Sequence, residues 1–393
     1  VCAYFSVTVI IVMKICVTES GRVSAREGER NSWPLRVCAY FSVTVIIVMK
    51  ICVTGAGGFI GSHIAKRLKE EGHYVVGVDW KEQEHFNNDE FCNEFVLLDL
   101  RTLENCLKAC DGCEEVYHLA ADMGGMGFIQ SNHSVILYNN TVCDFNMLEA
   151  ARHNGVKRFF YASSACIYPE HKQLEAENVS LKESDAWPAQ PQDAYGLEKL
   201  AMEELAIHYG QDFGMETRIA RFHNIYGPHG TWKGGREKAP ASFCRKAITS
   251  DVEFEMWGDG KQTRSFCYID DCVEGVLRLM RSDYTKPLNI GSDECVTMNQ
   301  MAEMALRFAG KEIPIKHIPG PEGVRGRNSD NTLIKEVLGW APEICLEDGL
   351  KRTFEWIKSK VEEEASSGVN VNQYASSQVV TQTTESLDKL IRK

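Results

Sequence analysis

Three glycines after an apolar run place the strongest constraint on the fold of this chain. The run Val43–Val53 is rich in β-branched residues, which is typical of a buried parallel strand. It leads into the sequence VTGAGGFIGSHIA, where Gly55, Gly58 and Gly61 precede a helical pattern. This spacing lets the backbone turn tightly and approach a pyrophosphate, whose charge a helix N-terminus stabilises. The pattern predicts a dinucleotide-binding site.

A second predicted strand ends in an acidic residue. The segment Tyr74–Val78 is followed by Asp79, about twenty residues beyond the glycines. A carboxylate there suits a ribose 2′-hydroxyl and repels a 2′-phosphate, so we expect NAD rather than NADP. Lys81 lies close enough in sequence to keep NADP open as an alternative.

Two short segments predict a site that removes the proton of a substrate alcohol. Tyr195 and Lys199 lie four residues apart, hence on one face of a helix, where the ammonium can stabilise a phenolate and make the tyrosine a general base. Ser164 follows a strand pattern and could hydrogen-bond the same substrate oxygen. Cys166, two residues later, is a second potential base, although a cysteine taken alone is as readily a small buried apolar residue.

Strands and helices alternate along the middle of the chain, which predicts an α/β fold. We expect a Rossmann-type doubly wound parallel sheet with a smaller C-terminal α/β substrate-binding lobe. The predicted boundaries are 37–222 for the NAD-binding domain, 223–362 mainly for the lobe, with some segments returning to the first domain, and 363–393 for a flexible tail rich in Ser, Gln and Thr.

The first residues repeat a later segment. Val1–Thr18 recurs unchanged at Val37–Thr54, and only the second copy continues into the glycines. We therefore expect residues 1–36 to be a duplicated extension that is loosely packed, disordered, or a poor competitor for the place of the second copy. Its apolar stretch of about a dozen residues is short of the roughly twenty that span a bilayer, so we expect neither an anchor nor a secretion signal.

Charge and cysteine content exclude some classes of protein. A net charge of −12 disfavours a nucleic-acid binder. Basic residues nevertheless gather in one region, where as a set they could bind a small anion such as a diphosphate: Lys233, Arg236, Lys238, Arg245, Lys246, Lys261, Arg264, Arg325 and Arg327. The pair Cys110 and Cys113 has no second half-site at zinc spacing, so we expect reduced thiols in a cytoplasmic protein and no metal.

Together these motifs give a specific resemblance. From about Met49 to about Ser377 the chain resembles the extended short-chain dehydrogenases/reductases, the group of nucleotide-sugar epimerases and dehydratases. The most specific segments are LAADMGGMGFIQSNHSV, SSACIYPE, AWPAQPQDAYGLEKLA, RFHNIYGPHGTWKGGREKAP, WGDGKQTRSF and GPEGVRGRNSDN. The departures are the duplicated N-terminus, Cys110 with Cys113, and the tail after Gln378.

Within that group the resemblance is to the enzymes that act on GDP-mannose. It implies epimerisation at C3 and C5 to GDP-L-galactose, with GDP-L-gulose as a side product, through transient NAD-dependent oxidation at C4, and a place in ascorbate and cell-wall sugar synthesis. Tyr195, helped by Lys199 and Ser164, would deprotonate the 4-hydroxyl. Cys166 would abstract a proton and Lys238 return one on the opposite face, although chemistry alone does not separate Lys238 from Lys233. A homodimer is implied, through helices near 140–152 and 193–209.

The remaining implied contacts fall into two sets. The cofactor would be held by Gly55, Gly58, Phe59, Ile60, Gly61, Asp79, Asp99, Ala120, Ala121, Tyr195 and Lys199. The substrate would be held by Met123, Gly124, Gly125, Ser164, Ala165, Cys166, Asn224, Glu237, Lys238, Ala239, Lys246, Gln262, Thr263, Arg264, Arg327 and Ser377.

Three other functions stay open on the sequence. A nucleotide-sugar 4-epimerase needs only the serine, tyrosine and lysine, and would leave Cys166 and Lys238 idle. A 4,6-dehydratase wants a carboxylate pair after the catalytic serine or threonine, where Ala165 and Cys166 stand. A non-catalytic NAD-binding scaffold would be expected to lose Tyr195, Lys199 or Ser164, and all three are present.

Overall fold

The computed structural model describes residues 8–17, 39–177 and 180–381, with side chains from Val48 onward. The strands are β1 Thr8–Val17, β2 Ala39–Val48, β3 Lys50–Thr54, β4 Tyr74–Asp79, β5 Glu94–Leu97, β6 Glu115–His118, β7 Arg158–Ser164, β8 Glu216–Phe222, β9 Ile225–Tyr226, β10 Phe254–Trp257, β11 Thr263–Ser265, β12 Cys267–Tyr268, β13 Leu288–Ile290, β14 Cys295–Thr297, β15 Ile315–Ile318 and β16 Gly326–Arg327. The helices are α1 Phe59–Glu70, α2 Asn88–Phe91, α3 Leu103–Ala109, α4 Met126–Ser131, α5 His133–His153, α6 Ala194–Phe213, α7 Ala239–Thr249, α8 Ile269–Arg281, α9 Met298–Ala309, α10 Thr332–Leu338 and α11 Leu346–Ser366.

A seven-stranded parallel sheet forms the centre of the molecule. Its strand order is β13-β8-β7-β6-β3-β4-β5, and every neighbouring pair is parallel. The apolar runs of β3 and β4 are buried because helices cover both faces of such a sheet. The strand order reverses between β3 and β6, and a ligand crevice is expected at the carboxyl ends of strands beside such a reversal. The predicted fold class is confirmed.

The predicted first strand, Val43–Val53, is wrong in its extent. The central sheet takes only Lys50–Thr54 of it, as β3. The preceding residues belong to β2, which pairs antiparallel with β1 in a separate two-stranded sheet. The physical reason is the repeat itself, because the first copy supplies a second apolar strand that satisfies the backbone groups of β2. Residues 1–7 and 18–38 lie outside the described part of the chain.

The C-terminal lobe carries three small sheets. β10 pairs with β15, β12 pairs with β9, and β11 lies between β14 and β16. β13 leaves this lobe and joins the edge of the central sheet beside β8. One buried apolar cluster includes residues of both regions, from Ile51 in β3 to Val361 in α11, so the lobe packs directly on the Rossmann sheet.

The segment predicted as a tail from residue 363 differs from that prediction as far as it is described. α11 continues to Ser366, and the 3-10 turn Val371–Ala375 lies against α7. Arg245 donates to the carbonyl oxygens of Tyr374 and Ser376, the latter at 3.1 Å. Backbone carbonyls hold this polar segment in place, and composition does not reveal such contacts. Residues 382–393 lie outside the described range.

Two further features bear on the sequence predictions. In the described ranges, no helix is both long enough and apolar enough to cross a membrane. Cys106, Cys110 and Cys113 are free and buried in a second apolar core beside the central sheet.

Candidate active site

A cavity of about 560 Å³ opens at the carboxyl ends of the central strands. It is bordered by the glycine loop after β3, the ends of β4, β6 and β7, and the first turn of α6. It brings together these predicted residues: Gly55, Gly58, Phe59, Ile60, Gly61, Asp79, Asp99, Ala120, Ala121, Met123, Gly124, Ser164, Tyr195 and Lys238.

The glycine loop leaves no room for side chains. Gly55 has φ +72°, and a Cβ on Gly61 would lie 2.2 Å from the Gly55 oxygen. This contact lets α1 pack tightly on the turn after β3. No side chain caps α1 at Gly58. The orphan N–H groups of its first turn are therefore left for an anion in the cavity.

Asp79 is tied to the same loop. Its Oδ2 accepts from Gly57 N at 2.9 Å, and its Oδ1 accepts from the backbone N–H groups of Trp80 and Lys81 at 2.7 and 3.2 Å. Burial raises the pKa of the Asp79 carboxyl, and these three donors oppose that rise. The Lys81 ammonium pairs with Glu84 at 3.0 Å, so the basic residue nearest Asp79 already has a carboxylate partner.

The next strand end contributes an acid and an arginine. Burial alone would raise the pKa of Asp99, but Arg101 binds both carboxylate oxygens, at 2.9 and 2.6 Å, and lowers that pKa below its usual range. Arg101 also lines the cavity and donates to Asn139. Sequence reasoning missed Arg101; the available signal was its position two residues after Asp99 at a strand end.

Tyr195 is placed by the start of α6. The Asp193 carboxylate accepts from Gly196 N at 2.8 Å and so caps α6. The helix begins at Ala194, one residue before the tyrosine. Lys199 lies one turn on, with Nζ 5.7 Å from the centroid of the Tyr195 ring. Burial raises the pKa of the Tyr195 phenol, while the Lys199 charge and a hydrogen bond with Ser164 lower it. These two groups favour the phenolate, as the motif predicts.

Lys199 has buried carboxyl groups beside it. Its Nζ lies 3.3 Å from Asp144 Oδ2 and 3.6 Å from Glu198 Oε1. Burial alone would lower the pKa of Lys199, but the two carboxyl groups and Tyr195 raise it above the usual lysine value. The lysine therefore keeps its positive charge inside the protein.

Ser164 and Cys166 occupy the end of β7 and the 3-10 turn that follows, Ala165–Ile167. Cys166 N donates to Ser164 Oγ at 3.1 Å, which fixes the serine side chain at the strand end. Arg327 Nη1 lies 3.2 Å from Cys166 Sγ, so a cation from the C-terminal lobe contacts the sulfur. A Cβ on Gly196 would lie only 2.1 Å from the Cys166 oxygen, so α6 touches this turn backbone to backbone.

Lys238 stands at the start of α7 and lines the cavity. Burial lowers its pKa, and the nearby thiols Cys166 and Cys272 oppose that shift. Lys233, the alternative that the sequence left open, instead pairs with Glu364 and lies 3.3 Å from the Tyr374 hydroxyl. The geometry thus brings Lys238, and not Lys233, to the cavity.

The basic cluster divides into paired and unpaired cations. Arg236 pairs with Asp122, Arg245 with Glu237, and Arg325 with Asp259. Within residues 48–177 and 180–381, five others form no salt bridge with a carboxylate. One of them, Lys261, is exposed. The other four donate to carbonyl groups, an amide or a thiol, or line the cavity: Lys238, Lys246, Arg264 and Arg327.

Two of these unpaired cations are direct neighbours. Arg264 and Arg327 face each other in the β11–β16 ladder. Burial and then the Arg327 charge lower the pKa of Arg264 to about 9. Burial and then Arg245 lower the pKa of Lys246 to about 8. Buried positive charge without a counter-charge is costly, so this part of the lobe is built to receive an anion.

Several predicted substrate residues do not line the cavity itself. These are Gly125, Ala165, Cys166, Asn224, Glu237, Ala239, Lys246, Gln262, Thr263, Arg264, Arg327 and Ser377, and Lys199 of the cofactor set lies behind Tyr195. Gln262 is the most informative of them: its Oε1 is buried and accepts no hydrogen bond from the described residues. Gly125 N donates to Arg236 O at 3.0 Å and joins the Met123 loop to the segment that carries Lys238.

Comparison with known proteins agrees with this geometry. Residues 51–291 match the NAD dependent epimerase/dehydratase family. The chain belongs to this family. It is 71% identical over 325 residues to GDP-mannose 3,5-epimerase of Arabidopsis thaliana, covering 83% of this chain and 86% of that protein. It is also 71% identical over 326 residues to GDP-mannose 3,5-epimerase 1 of Oryza sativa subsp. japonica, with the same coverage. The predicted resemblance to these enzymes is confirmed.

Solved structures of family members share the fold. UDP-glucose 4-epimerase of Thermotoga maritima, solved with UDP-glucose, has a TM-score of 0.71 at 27% identity and covers 80% of this chain and 100% of that chain. UDP-glucuronic acid 4-epimerase of Bacillus cereus, solved with its sugar nucleotide and NAD, has a TM-score of 0.68 at 26% identity, covering 79% and 100%.

Proposed function

We propose that this enzyme epimerises GDP-mannose at C3 and C5 to GDP-L-galactose, with GDP-L-gulose as a side product, through transient oxidation at C4. One observation carries the proposal: Cys166, in the turn after β7, and Lys238, at the start of α7, accompany Ser164 and Tyr195 at one end of the central sheet. Cys166 is close enough to interact electrostatically with both Tyr195 and Lys238. A 4-epimerase uses only the serine, tyrosine and lysine, whereas inversion at further carbons needs an additional base and acid.

NAD fits the first half of the cavity. The glycine cradle, the uncapped start of α1 and the Asp79 carboxylate supply a phosphate site and a group that repels a 2′-phosphate. Phe59, Ile60, Asp99, Ala120 and Ala121 complete the lining on this side. Bound NAD would accept the hydrogen of C4 with its electron pair and later return it. Two solved family members contain NAD, from Thermus thermophilus and Bacillus cereus.

The protein's part in oxidation belongs to Tyr195, Lys199 and Ser164. Tyr195 takes the proton of the 4-hydroxyl, and the Lys199 charge stabilises the phenolate that does so. Ser164, oriented by Cys166 N, donates to the same substrate oxygen. Oxidation at C4 makes the protons on C3 and C5 acidic, because the flanking carbonyl stabilises the resulting carbanion as an enolate.

Epimerisation itself belongs to Cys166 and Lys238. Cys166 removes the protons at C3 and C5, and Lys238 returns one to the opposite face in each case. The lowered pKa of Lys238 makes it a stronger acid than an exposed lysine, which suits it to proton delivery. Arg327, in contact with the Cys166 sulfur, gives the thiol a cationic neighbour.

The unpaired cations account for recognition of the nucleotide diphosphate. Lys246, Arg264 and Arg327 supply three positive charges that a diphosphate neutralises, and an arginine fork binds phosphate oxygens in two places. Around them we place the other predicted contacts: Asn224, Glu237, Ala239, Gln262, Thr263 and Ser377. Met123, Gly124, Gly125 and Ala165 complete the side that faces the sugar.

We place a homodimer contact on α5 and α6. Their outer faces expose Tyr138 and Leu197, which are 65% and 52% exposed, together with Phe145. A two-fold contact between two copies would cover these apolar groups. A cytoplasmic location and a role in supplying ascorbate and cell-wall sugars complete the proposal.

Incubation with GDP-mannose in deuterated water tests the reaction. We expect deuterium at C3 and C5 of the recovered GDP-sugars, because each inversion takes its new proton from an exchangeable acid. Epimers at C4 without deuterium at C3 or C5 would show a 4-epimerase instead. Loss of the 6-hydroxyl would show a dehydratase.

A further inference from the structure

The ammonium of Lys199 lies between two carboxyl groups in a fully buried space. Asp144 Oδ2 is 3.3 Å away and Glu198 Oε1 is 3.6 Å away, and both carboxyl side chains have no exposed surface. The cluster therefore holds one cation and two groups that can become anions. Water cannot screen their charges there, so the protonation of the cluster matters for Tyr195, which packs against it.

The two carboxyl groups have unequal surroundings. Asp144 shares hydrogen bonds with His118 Nε2 at 2.9 Å, Tyr161 OH at 2.7 Å and Lys199 at 3.3 Å. Glu198 accepts one, at Oε1 from Asn140 Nδ2 at 2.8 Å. Its Oε2 is buried and has no hydrogen-bond partner in the described residues. Donors stabilise a carboxylate, so Asp144 is the ionised member of the pair.

The single buried lysine compensates only one of the two carboxylates. The groups that face Glu198 come from α5, α6 and β7, with one from β6 behind Asp144: Asn140, Asp144, Tyr161, Tyr195, Lys199 and His118. Lys199 already balances Asp144, so an ionised Glu198 would be an uncompensated buried charge, which proteins avoid by taking up a proton. Burial accordingly raises the pKa of Glu198 to about 8, above its usual value, although Lys199 and Asn140 oppose the rise.

We infer that Glu198 is a positioning residue that works as an uncharged carboxylic acid. It fills the space beside Lys199 without adding a second negative charge, which would oppose formation of the Tyr195 phenolate. It also holds Asn140, whose Oδ1 accepts from Asp122 N at 2.6 Å at the end of the β6 segment that borders the cavity. Glu198 thus links Lys199, which supports the base Tyr195, to the segment after β6, which borders the cavity.

Infrared spectroscopy tests the protonation state on the enzyme without substrate. A protonated carboxyl has a carbonyl stretch that carboxylates lack. We expect this band at about pH 6, its loss as the pH passes about 8, and its absence in Glu198→Gln. The matched control is Glu204→Gln on the same helix, which should keep the band. A spectrum without the band, or a band that survives Glu198→Gln, would overturn the inference. If Glu198→Gln does not fold, titration of isotope-labelled glutamate in the parent gives the same decision.

A second measurement tests the role in catalysis, and this part rests on the proposed function. Reduction of bound NAD on mixing with GDP-mannose reports the step that uses Tyr195. Glu198→Ala should slow this step by about tenfold, because Asn140 Nδ2 loses one of its two acceptors. Glu198→Gln should restore most of the rate near pH 7, and unlike the parent it should not slow as the pH rises above about 8. A glutamine variant as slow as the alanine variant would show that the anion is needed. No reduction in the parent would refute the proposed function and leave the infrared result standing.

Discussion

Replacing Gly196 with alanine should disable the enzyme without touching a reactive group. The added Cβ would lie 2.1 Å from the Cys166 oxygen and 2.8 Å from its carbonyl carbon, whereas ordinary contacts begin at about 3.4 Å. α6 and the Ala165–Ile167 turn must therefore separate by about 1 Å. Since Tyr195 is on one of these elements and Ser164 and Cys166 are on the other, the substrate oxygen can no longer meet both. A misplacement of about 1 Å costs roughly 100-fold in turnover.

The assay is kcat for GDP-mannose epimerisation, measured with NAD binding and thermal unfolding. Gly210→Ala is the matched control, because it lies on α6 and its Cβ would meet its nearest neighbour at 3.3 Å, a gap that a small local shift relieves. We expect the control to keep its turnover and Gly196→Ala to keep NAD, since the glycine loop after β3 is distant in sequence and unchanged. Turnover within about threefold of the parent in Gly196→Ala would refute the claim that the contact between Gly196 and the Cys166 carbonyl positions Tyr195 relative to Ser164 and Cys166.

Other perturbations separate the individual steps. Tyr195→Phe should lose most turnover while still binding NAD, and parental turnover in this variant would contradict its role as the base. Cys166→Ala should still oxidise and re-reduce C4 but incorporate little solvent deuterium at C3 and C5; incorporation at the parental rate would reduce the cysteine to core packing. Because burial lowers the pKa of Lys238, its acid form is lost at a lower pH than that of an exposed lysine. Turnover should therefore fall on the alkaline side, and Lys238→Ala should remove the part of that fall that does not also appear in NAD reduction. Light scattering at micromolar concentration should give a dimer, and a monomer would contradict the contact on α5 and α6.

The sequence predicted those parts of the site that short segments build. The glycine loop, Asp79, Ser164 and the Tyr195–Lys199 pair each lie within one strand–loop–helix unit, where local pattern and position coincide. Arg101 was missed, because its contact with Asn139 depends on where the end of β5 lies relative to α5. The same holds for the choice between Lys238 and Lys233, which depends on the partner that α11 offers to Lys233.

The N-terminal region shows a second limit of sequence reasoning. The apolar, β-branched run Val43–Val53 indicates extended structure, but it cannot show that the run divides into two strands or which partner each of them takes. Two identical segments compete for the same ladders, and the structure gives β2 to β1 and β3 to the central sheet. The polar segment near Tyr374 was misjudged for a related reason, since it is held through backbone carbonyls, which amino-acid composition does not report.

The pairing of β1 with β2 is symmetric in an unusual sense. Ile10 lies opposite Ile46, its own counterpart in the second copy of the repeat, so the ladder has an approximate two-fold axis through this pair. A ladder made by two copies of one sequence within a chain can equally be made by copies from two chains, with the same register and the same hydrogen bonds. The duplication therefore lets β2 find its partner within the same chain. Removing residues 1–36 would take that partner away and leave β2 free to form the same ladder with β2 of a second molecule, while every residue of the candidate active site stays in place.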